Sequence, residues 1–220
     1  ISFSRHCCCI QIFFLFFFKQ MIAGVDEAGV GSLMSIMVAG AVILPDDFDT
    51  TNLCDSKKTT EKKRKMIAEQ LHDKADVGIG IVTEEEIDTL GLAKCRRIVF
   101  HRALDNLKSI NISKIIVDGT LFETYKNIQH ECIPKADATV PCVSAASIVA
   151  KHYRDSYIYE LCENNKNASE FYGWKTNKGY PSQKHRNAIQ NKGISKFHRK
   201  SYAPCSKAQL LDFSDEEFFS

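Results

Sequence analysis

Val25-Asp26-Glu27-Ala28-Gly29-Val30-Gly31 decides the reading of this chain. An apolar run from Ile22 leads into two adjacent carboxylates, and a Gly-x-Gly turn follows them. Side chains of neighbouring strand residues point to opposite faces. Asp26 and Glu27 serve one site only where the strand twists or ends, which the glycines permit. Asp118 closes a second apolar strand, Lys114–Asp118, just before Gly119, and Asp137 stands shortly before Pro141. Carboxylates gathered at strand ends have two readings. One is turn chemistry, because Asp-Gly is a common turn. The other is a Mg2+ site, because hard divalent cations take carboxylate oxygens. Two such ions roughly 4 Å apart activate a water and stabilise the leaving oxygen in phosphodiester hydrolysis. Spacing alone leaves both readings open.

Outward from that stretch the pattern is regular. Ser35–Leu44 is a continuous apolar run closed by Pro45-Asp46-Asp47, which predicts a buried strand and a turn. Thr59 or Thr60 caps a basic helix to Leu71 with Met66, Ile67, Gln70 and Leu71 inward. Val77–Thr83 reads as a strand, and Glu84–Leu107 as helix broken at Gly91. Pro141 opens a helix with apolar residues at 143, 146, 150, 153, 157 and 161, a 3.6 period. Residues 164–179 read as a polar loop, and Pro181–Asn191 as another helix. Alternating strands and helices predict an α/β fold on a mixed sheet.

A chain of 220 residues, 44% hydrophobic and 25% charged, is an ordinary globular protein of one domain. Collagen, a disordered tail and a multi-span membrane protein are excluded. The net charge is only +2, but it is unevenly spread. Residues 151–207 carry twelve Lys and Arg against four Asp and Glu, which suits a phosphate backbone or a solvated basic face. Nine cysteines, three of them consecutive and none in a C-x-x-C pair, predict reduced thiols and a cytoplasmic protein. Residues 1–20 hold a Phe-rich apolar run of twelve residues, short of the roughly 20 that cross a bilayer. They are expected to be a non-native or unstructured extension, with no stable membrane partner. Residues 208–220 form an acidic tail, expected to be disordered. P-loop, dinucleotide and Gly-x-Ser-x-Gly templates all fail.

Six motifs then appear in order. They are Ala23-Gly24-Val25-Asp26-Glu27-Ala28-Gly29, Asp55-Ser56-Lys57-Lys58 and Ile116-Val117-Asp118-Gly119. Lys135-Ala136-Asp137 with Ala145–Lys151 and Arg154-Asp155 comes next. Lys178-Gly179-Tyr180-Pro181 with His185, and His198-Arg199-Lys200-Ser201-Tyr202, complete the set. Together they resemble the ribonuclease HII family over about residues 22–204. The resemblance implies an RNase H-like mixed five-stranded sheet flanked by helices, with a helical C-terminal part, in a catalytic domain spanning 21–207. It implies a Mg2+- or Mn2+-dependent endonuclease with a two-ion site. Its partners would be RNA–DNA hybrids and duplex DNA with embedded ribonucleotides, cut 5′ of the ribonucleotide to leave 3′-hydroxyl and 5′-phosphate ends. Asp26, Glu27, Asp118 and Asp137 would be the catalytic metal ligands. Gly29, Val30 and Gly31 would read the 2′-hydroxyl, Tyr180 would pack by the sugar, and Lys57, Lys151 and Arg154 would face phosphates. A monomer is expected.

One departure stands out: the family turn is Gly-Arg-Gly, and here Val30 replaces the arginine. Backbone readout survives that change, and a side-chain phosphate contact does not. The alternatives are a ribonuclease HIII-like hybrid nuclease without single-ribonucleotide activity, and a non-catalytic hybrid-binding module.

Overall fold

The computed structural model describes residues 21–53 and 59–211. The expectations for residues 1–20, for Asp55-Ser56-Lys57-Lys58 and for the tail from 212 lie outside the described residues. Strand β1 (Met21–Ala28) is followed by β2 (Met37–Ile43), helix α1 (Glu61–Lys74) and β3 (Asp76–Val82). Helices α2 (Glu84–Leu90) and α3 (Leu92–Asp105) meet at Gly91, the expected break. Then come β4 (Ile112–Asp118), β5 (Gln129–Ile133) and a 3-10 turn at Ala136–Ala138. The C-terminal part is helical: α4 (Pro141–Asn164), α5 (Lys166–Tyr172), α6 (Trp174–Asn177) and α7 (Gln183–Lys192).

The strands form one mixed sheet in the order β3-β2-β1-β4-β5. β1, β2 and β3 are antiparallel neighbours, and β1, β4 and β5 run parallel. The carboxyl ends of β1, β4 and β5 therefore share one edge. Strand β5 was missed by pattern because it is an edge strand with no fully buried residue.

Alternation along β1 sends Ala23 and Val25 to one face, where they pack with Val99 and Phe100 of α3. Gly24 faces α4, and the approach there is close. A Cβ on Gly24 would lie 2.2 Å from the carbonyl carbon of Cys142. That contact sets the height of α4 against β1.

Three sequence expectations need correction. In α1 the inward residues are Ile67, Ala68 and Leu71, whereas Met66 is 54% exposed and Gln70 is exposed. In α4 residues 143–150 are all buried, because the helix is covered by the sheet on one side and by α1 on the other. Beyond them the inward stripe is Arg154, Ile158 and Cys162, and Tyr153 and Tyr157 face outward. A core stripe carrying an arginine does not look like core in a sequence. Residues 164–179 are not a loop. They form α5 and α6, and Tyr172 stacks on Trp174 at 5.3 Å in a second core. Gly173, in a left-handed conformation, breaks the helix and hides its period. Among the described residues no helix is long and apolar enough to cross a membrane, and all five cysteines are free.

Candidate active site

Asp26 lies on the α4 face of β1, opposite Gly40 of β2, and is 5% exposed. Asp118 ends β4 one residue beyond the Val25–Val117 pair, so it stands beside Asp26 at the shared edge. Asp137 sits in the 3-10 turn after β5, buried, and its backbone N–H donates to Asp118 Oδ1 at 3.5 Å. Open α/β sheets collect ligands at the carboxyl ends of their strands.

Glu27 departs from this group in direction. It leaves β1 on the α3 face, and its Oε1 accepts from Arg96 Nη2 at 2.5 Å. Its Oε2 is buried with no hydrogen-bond partner. Among the described residues no three His, Cys, Asp or Glu side chains enclose a ready-made metal position. Asp26, Asp118 and the turn that carries Asp137 thus share one end of the sheet, with Glu27 directed to its other face, and they do not close into a cage. Like charges repel when no cation is present.

The electrostatics fit a cation site. Burial, joined by the charges of Glu27 and Asp118, pushes Asp26 from 3.8 up to about 7. The Ser147 hydroxyl of α4 lies beside it and pulls the other way, yet that hydroxyl has no partner of good hydrogen-bond geometry. Burial also raises Glu27; Arg96 opposes the rise and Asp118 adds to it. Carboxylate oxygens are the hard donors that suit Mg2+ or Mn2+, and one of them, Glu27 Oε2, is buried without a hydrogen-bond partner.

The glycine turn adjoins this edge. Gly29 has φ +88°, and a Cβ there would lie 2.2 Å from Arg154 Nε, so only glycine fits. Arg154 is not on the surface, which corrects its assignment to phosphate. It is 1% exposed, and its three nitrogens donate to Ile36 O, Lys178 O and Ser32 Oγ at 3.1, 3.0 and 2.7 Å. It holds the turn to the Tyr180 segment, with its guanidinium 5.2 Å from the Tyr180 ring centroid. Tyr180 is 41% exposed. Lys151, one helical turn beyond Ser147, is half-buried, and Lys57 lies outside the described residues.

Arg199 and Tyr202 belong to the last of the six motifs, and the structure places both behind the glycine turn. Arg199 is buried and donates to Gly29 O at 2.7 Å and to Val30 O at 3.0 Å. Tyr202 Oη also donates to Val30 O, at 2.8 Å. Both carbonyls of the turn are therefore drawn inward. Trans peptides point C=O and N–H in opposite directions, so the N–H groups of Val30 and Gly31 point away from the arginine. Gly31 has open space at its Cβ position. Arg96 gave no signal in the sequence, where a basic residue on a helix reads as solvated. His185 and His198 are core residues: both are fully buried, with their Nε2 atoms 2.9 Å apart.

The family model for ribonuclease HII matches residues 23–205. The ribonuclease HII of Christiangramia forsetii is 40% identical over 196 residues, covering 89% of this chain and 96% of that one. Among solved structures, the ribonuclease H2 of Pyrococcus horikoshii superposes with a TM-score of 0.69 at 26% identity, covering 86% of this chain and 96% of that one. Bst-RNase HIII, solved in complex with Mn2+, has a TM-score of 0.67 at 17% identity, covering 86% of this chain and 68% of that one. This last likeness is one of fold alone.

Proposed function

The chain belongs to the ribonuclease HII family and is a ribonuclease H enzyme acting on RNA–DNA hybrids, and from that premise we propose how its site works. Asp26, Glu27, Asp118 and Asp137 hold Mg2+ or Mn2+ in a two-ion site. Bound there, the ions supply an activated water and stabilise the leaving oxygen. The enzyme incises 5′ of a ribonucleotide embedded in duplex DNA and leaves 3′-hydroxyl and 5′-phosphate ends.

The observation that carries this reading is the tie between carboxylates and turn. The Gly29–Gly31 backbone directly follows Asp26 and Glu27 on β1, and Arg154 links it to the half-exposed Tyr180. A single ribose can then be read where the cut is made, since the 2′-hydroxyl is what separates RNA from DNA at one position. The N–H groups of Val30 and Gly31 donate to the substrate oxygen, Tyr180 packs on the sugar, and Lys151 meets a phosphate. The catalytic unit spans residues 21–207, and removal of residues 1–20 leaves it active.

Cleavage of a duplex carrying one ribonucleotide, with Mg2+, Mn2+ or chelator and with product ends mapped, tests this reading. Metal-dependent incision 5′ of the ribonucleotide is expected. Cutting of long hybrids only would favour ribonuclease HIII-like specificity. Binding without turnover would mark a non-catalytic module.

A further inference from the structure

The direction of Glu27 is set by a residue outside the carboxylate group. Strand alternation carries it away from Asp26 and onto α3. There the Arg96 guanidinium meets Oε1 at 2.5 Å, with the Glu27 side chain 10% exposed and that of Arg96 26% exposed. Arginine and carboxylate normally close fork to fork, through two parallel N–H···O bonds. This pair uses one. Glu27 Oε2 and Arg96 Nε are both buried without a hydrogen-bond partner. One oxygen of Glu27 is engaged, and the other has no hydrogen-bond partner.

We propose that Arg96 is a resident counter-cation of the carboxylate cluster, paired to Glu27. It holds Glu27 by one oxygen while no divalent ion is bound and leaves the other oxygen for the ion. Its fixed charge also weakens the site's grip on that ion. This rests on the reading of Glu27 as a metal ligand. Loss of the Arg96 charge then acts oppositely on two states. Without metal, the clustered carboxylates lose their compensating cation and the fold loses stability. With metal, one fewer positive charge faces the ion and binding tightens. A merely structural ion pair would lower stability in both states alike and leave metal affinity unchanged.

The test uses the full chain stripped of metal, with Mn2+ as the probe. Free Mn2+ is followed by electron paramagnetic resonance, and melting is recorded in chelator. Arg96→Met should bind Mn2+ about three- to ten-fold more tightly than wild type and melt at a lower temperature without metal. Arg96→Lys, which keeps the charge, should stay near the wild-type affinity. Unchanged or weaker Mn2+ binding in Arg96→Met overturns the proposal. If that variant does not fold, Glu27→Gln is compared with the Glu27→Gln, Arg96→Met double variant. Removal of the arginine should tighten Mn2+ at the remaining carboxylates there too, and no change would overturn the proposal. Glu27→Gln alone must weaken Mn2+ binding. If it does not, the ligand reading of Glu27 fails and takes this inference with it. If it does while Arg96→Met leaves affinity unchanged, only the inference fails.

Discussion

In the presence of a chelator, Asp26→Asn should make the fold less sensitive to rising pH. Asp26 is 5% exposed, and burial together with Glu27 and Asp118 lifts its carboxyl from 3.8 to about 7. The folded chain therefore holds this proton more tightly than the unfolded chain does. The stability this provides is complete below about pH 4 and is lost as pH rises through 7. A gap of roughly three pH units corresponds to about 4 kcal/mol, of which about 2 kcal/mol falls between pH 5.5 and 8.5. Asparagine cannot ionise, yet it keeps the oxygen that accepts from the Glu27 N–H, a 2.7 Å bond in the wild type. Urea midpoints of both proteins in EDTA across that range give the difference directly. His185 and His198, held by burial at about 4 and about 3, ionise more readily in the unfolded chain and so lower stability toward the acid end of the range, a dependence that cancels between the two proteins. The stability of Asp26→Asn relative to wild type should rise by about 2 kcal/mol from the acid end to the alkaline end. Parallel profiles, within about 0.5 kcal/mol, would show that Asp26 ionises like an exposed aspartate and that its burial does not govern the site.

Asp118→Asn should cut turnover about a hundred-fold or more while circular dichroism stays that of the wild type. Gly29→Ala should cost about 2–4 kcal/mol in urea unfolding, because the new methyl meets Arg154 and the positive φ is strained. Tyr180→Ala should slow cutting at a single ribonucleotide more than cutting of a long hybrid, where neighbouring riboses offer other registers. Equal slowing would make Tyr180 a packing residue. Val30→Arg should tighten substrate binding at low salt, with the gain shrinking as salt rises in a filter-binding series.

The central sheet was legible because its strands obey simple rules. β2 is an unbroken apolar run, and it is buried along its whole length. Thr60 caps α1 and Ser182 caps α7, each accepting from a backbone N–H. What stayed hidden depends on residues that contradict their usual environment. Arg154 and Arg199 are core arginines whose partners are mostly backbone carbonyls, which a sequence does not display. Arg96 reaches Glu27 across 69 positions of chain. The Asp26-Glu27 pair was readable as a candidate site, but the opposite directions of its two members needed the register of β1 against α3 and α4. The C-terminal helices were lost to a left-handed glycine between Tyr172 and Trp174.

The valine at position 30 becomes understandable once the turn is seen from inside. Arg199 and Tyr202 take the Val30 carbonyl, Arg199 also takes that of Gly29, and the Val30 side chain packs on the core at the α3 side. Nothing in that arrangement calls on a side chain at position 30 to face substrate. The turn is fixed from behind by two buried guanidiniums, Arg154 against Gly29 and Arg199 against both carbonyls. Its outward groups are then peptide N–H donors, which any residue except proline supplies at that position. An arginine there would add charge toward a phosphate, and with it affinity that fades with salt. It would not add the ability to tell ribose from deoxyribose. On the proposed reading, substrate discrimination would sit in the backbone and in the arginines that hold it, and the loss of one surface cation would leave it in place.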